Sequence, residues 1–162
     1  LVTDTFHMTL HDLSNSEKQE EVAAELIENR RMLQNLSEKK LLTSFDTIRM
    51  KSRCIFNMVN TSLVLGLYPA DEKEHEKLMT LYEIFNEVKK ITYPLTPHIT
   101  LAYYNVHGFC EASARKLEKI VYQLNSDELE NEIEIVLETK ELYYQYFDSM
   151  NHYTNLFPVF KE

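Results

Sequence analysis

A chain of 162 residues with 44% hydrophobic side chains and only 2 glycines has room for one substantial core, is too short for two ordinary domains, and excludes disorder or low complexity. Its formal net charge of −9 argues against extended, sequence-independent binding of duplex DNA or long RNA, which depends on Lys and Arg neutralising phosphates, and leaves room for a small anion gripped in one cleft. No apolar run approaches the roughly 18 residues of a membrane span and no signal-peptide pattern opens the chain, so a soluble, cytoplasmic protein with no membrane partner is expected.

Thr3 to Leu13 alternates, with Phe6, Met8 and Leu10 on one face and His7, Thr9 and His11 on the other, which predicts a strand. Ser14 followed by Glu17 forms a capping box for a helix to about Leu42, with Val22, Ala23, Leu26, Ile27, Leu33 and Leu36 as its buried stripe. From Thr47 the period becomes two, and Ile48, Met50, Ser52 and Cys54 oppose Arg49, Lys51 and Arg53. That basic face can attract an anionic substrate, but protection of a solvated strand edge is the commoner use of such charges. Ser62 to Tyr68 is apolar enough for a central strand covered on both faces, joined to the preceding strand by a hairpin across Asn57 to Asn60.

Pro69-Ala70-Asp71 stops that strand, and Asp71 with Glu74 opens a second helix with the stripe Leu78, Leu81, Tyr82, Phe85 and Val88. Pro94 and Pro97 exclude helix ahead of a further strand. After a turn at Asn105-Val106-His107-Gly108, a third helix turns Ala114, Leu117, Ile120, Val121 and Leu124 inward. Glu132 to Glu138 reads as a half-exposed strand with Ile133, Ile135 and Leu137 inward, and Leu142 to Phe147 as a Tyr-rich one. The succession predicts an α+β protein, a two-layer or bilobal single domain over residues 1–162. Cys54 and Cys110 stand in no Cys-x-x-Cys pair and read as buried thiols, with no disulfide framework.

Phe6-His7-Met8-Thr9-Leu10 returns almost letter for letter as Pro97-His98-Ile99-Thr100-Leu101, 98 − 7 = 91 residues later. On a strand, a His and a Thr two positions apart share a face, so each copy presents an imidazole and a hydroxyl together. Two such strands facing each other, one from each half of a domain, would make a cleft holding two His and two Thr. Breaking a phosphodiester requires one group to take a proton from the attacking oxygen and another to give one to the departing oxygen. Histidine does either near neutral pH, because its unperturbed pKa is about 6.5. Thr hydroxyls can donate to the non-bridging oxygens. Zinc wants three or four ligands, while His7 and His98 offer two with no carboxylate in the motifs, so no metal and no cofactor is expected.

The paired His-x-Thr-apolar tetrapeptides resemble the signature of the 2H phosphoesterase superfamily, which contains the 2′,5′-RNA-ligase-like proteins and cyclic nucleotide phosphodiesterases. The resemblance covers most of the chain. It implies a bilobal domain of antiparallel sheets with outer helices and a central cleft, with His7 and His98 as acid and base, in an order the near-identical motifs leave open, and with Thr9 and Thr100 on the phosphate. The family carries a strand and a helix ahead of its first motif, whereas only six residues precede His7. Either further residues lie upstream or the first lobe is completed differently.

The expected activity is metal-independent hydrolysis of a cyclic phosphate, or cleavage of a 2′,5′ or 3′,5′ linkage, in a small nucleotide or short oligonucleotide, by a monomer. The alternative is a nucleotide- or RNA-end-binding module that keeps the cleft without turnover. Substrate contacts are expected from His11, on the strand face of His7, and from Tyr104, on the face of His98 if that strand continues. Tyr144 and Tyr146 lie on a strand that can line the cleft, and His75, His107 and His152 read as surface residues.

Overall fold

In chain order the elements are α1 (Gln19–Glu38), β1 (Thr47–Met58), β2 (Ser62–Pro69), α2 (Glu72–Val88), β3 (His98–Tyr103), α3 (Glu111–Glu130), β4 (Glu134–Glu138), β5 (Tyr143–Ser149) and β6 (His152–Pro158). They are drawn from a computed structural model that describes residues 5–14, 16, 18–38 and 45–160. The fold is α+β. Strands β3-β2-β1-β4 form a curled antiparallel sheet, and β5 and β6 form a separate antiparallel pair. Among the described residues no helix is long and apolar enough to cross a membrane.

β2 is apolar because it is hydrogen-bonded on both sides and covered on both faces, with Ser62, Val64 and Leu67 buried. The β1–β2 turn runs through Val59 and Asn60, both at positive φ (44° and 59°). Asn57 holds it by accepting from the Asn60 N–H at 3.1 Å and donating to the Asn60 side chain at 2.6 Å. α2 starts as expected: the Asp71 carboxylate accepts from the Glu74 N–H at 3.0 Å. Its stripe Leu78, Leu81, Phe85 and Val88 is buried, with Tyr82 half-buried.

These residues join one core cluster with Leu10, Leu33 and Leu36, with Ile48, Met50 and Leu67 of the sheet, and with Tyr144 and Val159 of the β5–β6 region. Each fully buried aliphatic side chain contributes about 1.5–3 kcal/mol to that core.

Several expectations are corrected. Residues 5–13 form no strand and pair with the sheet at a single bridge, Met8 to Ile99. α1 begins at Gln19, where the Ser16 hydroxyl accepts from the Lys18 N–H at 3.1 Å. Glu17 of the expected capping box and the expected helix end near Leu42 lie outside the described residues. α1 is also rotated from the expected stripe: Ala23 and Ile27 are exposed, while Asn29 is buried and donates to the Leu13 carbonyl at 2.8 Å. On α3, Ile120 and Leu124 face solvent, and on the approach to β4 so does Ile133. Cys110 is exposed and Cys54 half-buried. β1 is no edge strand, since β2 and β4 flank it. β6 was not expected at all, and His152 begins it.

Candidate functional site

The two tetrapeptides meet side by side, not across an open cleft. An antiparallel bridge pairs Met8 with Ile99, and such a pair carries a local twofold axis between its strands. The pairing itself is that single bridge; extended by one residue either way, its register would set His7 opposite Thr100 and Thr9 opposite His98, with all four side chains on one face. Met8 and Ile99 project from the other face and pack on the core cluster. His7 and His98 are diagonal neighbours, whose backbone anchors in this geometry stand about 7–8 Å apart. That span suits one phosphoryl group with a hydrogen bond of about 2.8 Å on either side. His7, His98 and Thr100 are half-buried and Thr9 is exposed, so the face is open to a ligand.

Each imidazole is held in the same way. His7 Nδ1 lies 2.7 Å from the carbonyl oxygen of Thr5, and His98 Nδ1 lies 2.6 Å from that of Thr96, two residues back in each case. A carbonyl oxygen only accepts, so Nδ1–H donates in both rings and Nε2 is the atom left for a ligand. A neutral ring then offers Nε2 as a base, and a protonated one offers Nε2–H as an acid. The segment before His98 is fixed by Pro97, whose carbonyl accepts from the Leu67 N–H at 2.9 Å as β3 joins β2.

Aromatic groups bound the His7 end. The Tyr153 ring of β6 meets the His7 ring edge-on, with centroids 4.5 Å apart, and the Phe147 ring lies 5.3 Å beyond Tyr153. Burial, and after it the neighbouring Tyr103, push the Tyr153 hydroxyl above its usual titration range. At the other end, Gly66 of β2 lies opposite His98. A Cβ at Gly66 would meet the Phe56 ring at 3.0 Å, so the absent side chain makes room for that ring beside His98.

Two expected contacts are not brought to this face. His11 faces α2: its ring nitrogens lie 3.2 Å from the Asp12 carbonyl oxygen and 3.2 Å from the Asn86 side-chain oxygen, and its ring lies against Phe85. The strand that was to align His11 with His7 does not form. Tyr104 is displaced by a bulge, since Val64 pairs with Thr100 but Leu63 with Ala102, leaving Leu101 unpaired. Tyr103, opposite Ser62, therefore shares the face of Thr100. Tyr104 packs edge-on against Phe109 and lines a cavity of about 720 Å³ between the β1–β2 turn and α3, whose walls carry no motif residue. Tyr144 is a core residue and Tyr146 is exposed.

Tyr153 and Tyr103 are thus the neighbours that sequence reasoning missed. The run Tyr153-Thr154-Asn155-Leu156-Phe157 after the Asn151 turn is rich in aromatic and β-branched residues, a readable strand signal; the bulge at Leu101 left none. Among the described residues no three His, Cys, Asp or Glu side chains converge into a group that could hold a metal ion. The chain matches no protein-family model, no curated protein and no solved structure.

Proposed function

We propose that the chain is a metal-independent phosphoesterase of the 2H type, acting on a small nucleotide or short oligonucleotide. One observation carries the reading: the Met8–Ile99 bridge relates two His-x-Thr tetrapeptides by a local dyad, each with its His ring bonded through Nδ1 to the carbonyl two residues back. A phosphate between the rings receives Nε2 of one imidazole on the side of the attacking oxygen and Nε2–H of the other on the side of the leaving oxygen. The base draws the proton from the attacking hydroxyl or water as the P–O bond forms, and the acid hands its proton to the departing oxygen as the other bond breaks. Thr9 and Thr100 donate to the non-bridging oxygens, where charge shifts in the transition state.

The test is an assay in EDTA against cyclic nucleotides and short oligonucleotides, with His7→Ala and His98→Ala beside the wild type. Turnover in EDTA that falls about 10²–10⁴-fold in each variant is expected from loss of a general acid or base. Thr9→Ala and Thr100→Ala act mainly through weaker transition-state binding. Wild-type rates in both His variants, or activity only with added metal, would end the proposal. Saturable nucleotide binding with no product would assign the chain to a binding module instead.

A further inference from the structure

The face that carries His98 extends across β2 to β1, where one cation stands apart from its neighbours. Between Ser52 and Ile55 the β1 register slips, so Arg53 and Cys54 together oppose Gly66, and Gly66 in turn opposes His98. The row across the sheet is therefore Arg53 and Cys54, Gly66, His98. Adjacent strands are spaced about 4.8 Å, which puts the Arg53 backbone roughly 10 Å from that of His98. Tyr68, two residues along β2 from Gly66, shares this side and pairs with Lys51 across the β1–β2 ladder.

The other two basic residues of β1 are occupied. Arg49 lies 2.6 Å from Asp71 and 3.4 Å from Glu74, and Lys51 lies 2.6 Å from Glu132. Arg53 is exposed, and among the described residues no carboxylate lies within ion-pair distance of it. Between Arg53 and His98 the Gly66 position is floored by the Phe56 ring. In a chain of net charge −9, this unneutralised guanidinium stands one nucleotide's reach from the imidazole pair, and Arg matches phosphate with two parallel N–H donors.

Resting on the phosphoesterase reading above, we infer that Arg53 binds the phosphate next to the scissile one, with the Phe56 ring beneath the nucleotide between them. The preferred substrate is then an oligonucleotide with at least two phosphates, not a cyclic mononucleotide.

The experiment compares adenosine 2′,3′-cyclic phosphate, with one phosphate, and the adenylyl dinucleotide ending in the same cyclic phosphate, with two. Arg53→Gln is expected to raise KM for the dinucleotide about 10-fold more than for the mononucleotide, the scale of a lost charged hydrogen bond. Arg53→Lys restores part of the difference. The log–log salt dependence of dinucleotide KM loses a slope of about 0.7, one phosphate contact on a single strand. Equal effects on the two substrates, or none on either, would overturn the assignment. If wild type turns over neither probe, or His98→Ala retains full rate, the catalytic reading fails by itself. The same comparison made on calorimetric Kd values then decides Arg53.

Discussion

Tyr82 shows how a single side chain can make stability depend on pH. Its hydroxyl oxygen is buried with no hydrogen-bond partner among the described residues, and burial pushes its titration up to about 12 from an ordinary 10. The folded state thus favours the neutral phenol, so that contribution is complete below pH 10 and is lost as pH rises toward 12. Tyr82→Phe removes an unpaired polar atom without removing the ring. It is expected to match or exceed wild-type stability at neutral pH by about 0.5–1 kcal/mol, and to lose less between pH 10 and 12 in urea titrations. A variant markedly less stable at pH 7 would mean that the hydroxyl is bonded after all. At this scale the sequence was most legible where its period was strictest. Met8 and Ile99, the equivalent residues of the two tetrapeptides, are the pair that bridges. His11 and Tyr104 were misassigned because each needed strand alternation to continue, past the end of the pairing for one and past the bulge at Leu101 for the other.

Elements announce themselves when their signals are local and are missed when tertiary contacts decide. α2 was readable because its cap and apolar stripe lie within its own residues. The phase of α1 was not, because Asn29 is drawn inward by the Leu13 carbonyl while Ile27 is left 75% exposed. The β1–β2 turn breaks a local rule, since Val59 is β-branched and sits at φ 44° while 81% exposed. Replacing it costs little buried area, so Val59→Asn is expected to stabilise by about 1 kcal/mol. This would appear as a higher urea midpoint with an unchanged slope; a lower midpoint would show that the turn is unstrained.

Glu74 joins α2 to β1. Burial alone would raise its carboxyl, but Lys77 at 2.9 Å and the Arg49 N–H at 3.0 Å outweigh that and hold it below its ordinary 4.5. A lowered folded value contributes stability that is complete above pH 4.5 and is lost as pH falls through the folded value. Glu74→Gln should therefore cost about 1.5–3 kcal/mol at pH 7, the scale of a hydrogen bond to a charged group, and should flatten the acid limb below pH 4.5. An unchanged acid limb would place the acid sensitivity elsewhere.

For the whole molecule, the order of strands and helices made the α+β class readable, but nothing local encodes that residues 8 and 99 become neighbours. That pairing depends on what lies behind it. Leu10, the last residue of the first motif, joins the same cluster that holds Leu33 of α1, Ile48, Met50 and Leu67 of the sheet, and Tyr144 and Val159 of the β5–β6 region. A core shared in this way leaves neither the sheet nor the hairpin an interior of its own, so the two should unfold together. Leu33, 1% exposed, is the α1 member most deeply buried in that cluster. Leu33→Ala is expected to cost about 3 kcal/mol, roughly 6–12 °C in Tm for a chain of this size. The loss should appear as one shifted transition, with far-UV circular dichroism and near-UV tyrosine signals superimposed. If the tyrosine signal, weighted toward the β5–β6 region, melted ahead of the far-UV signal, the first motif and the sheet would belong to separate cooperative units. The imidazole pair would then be held together by the Met8–Ile99 bridge without the common core behind it.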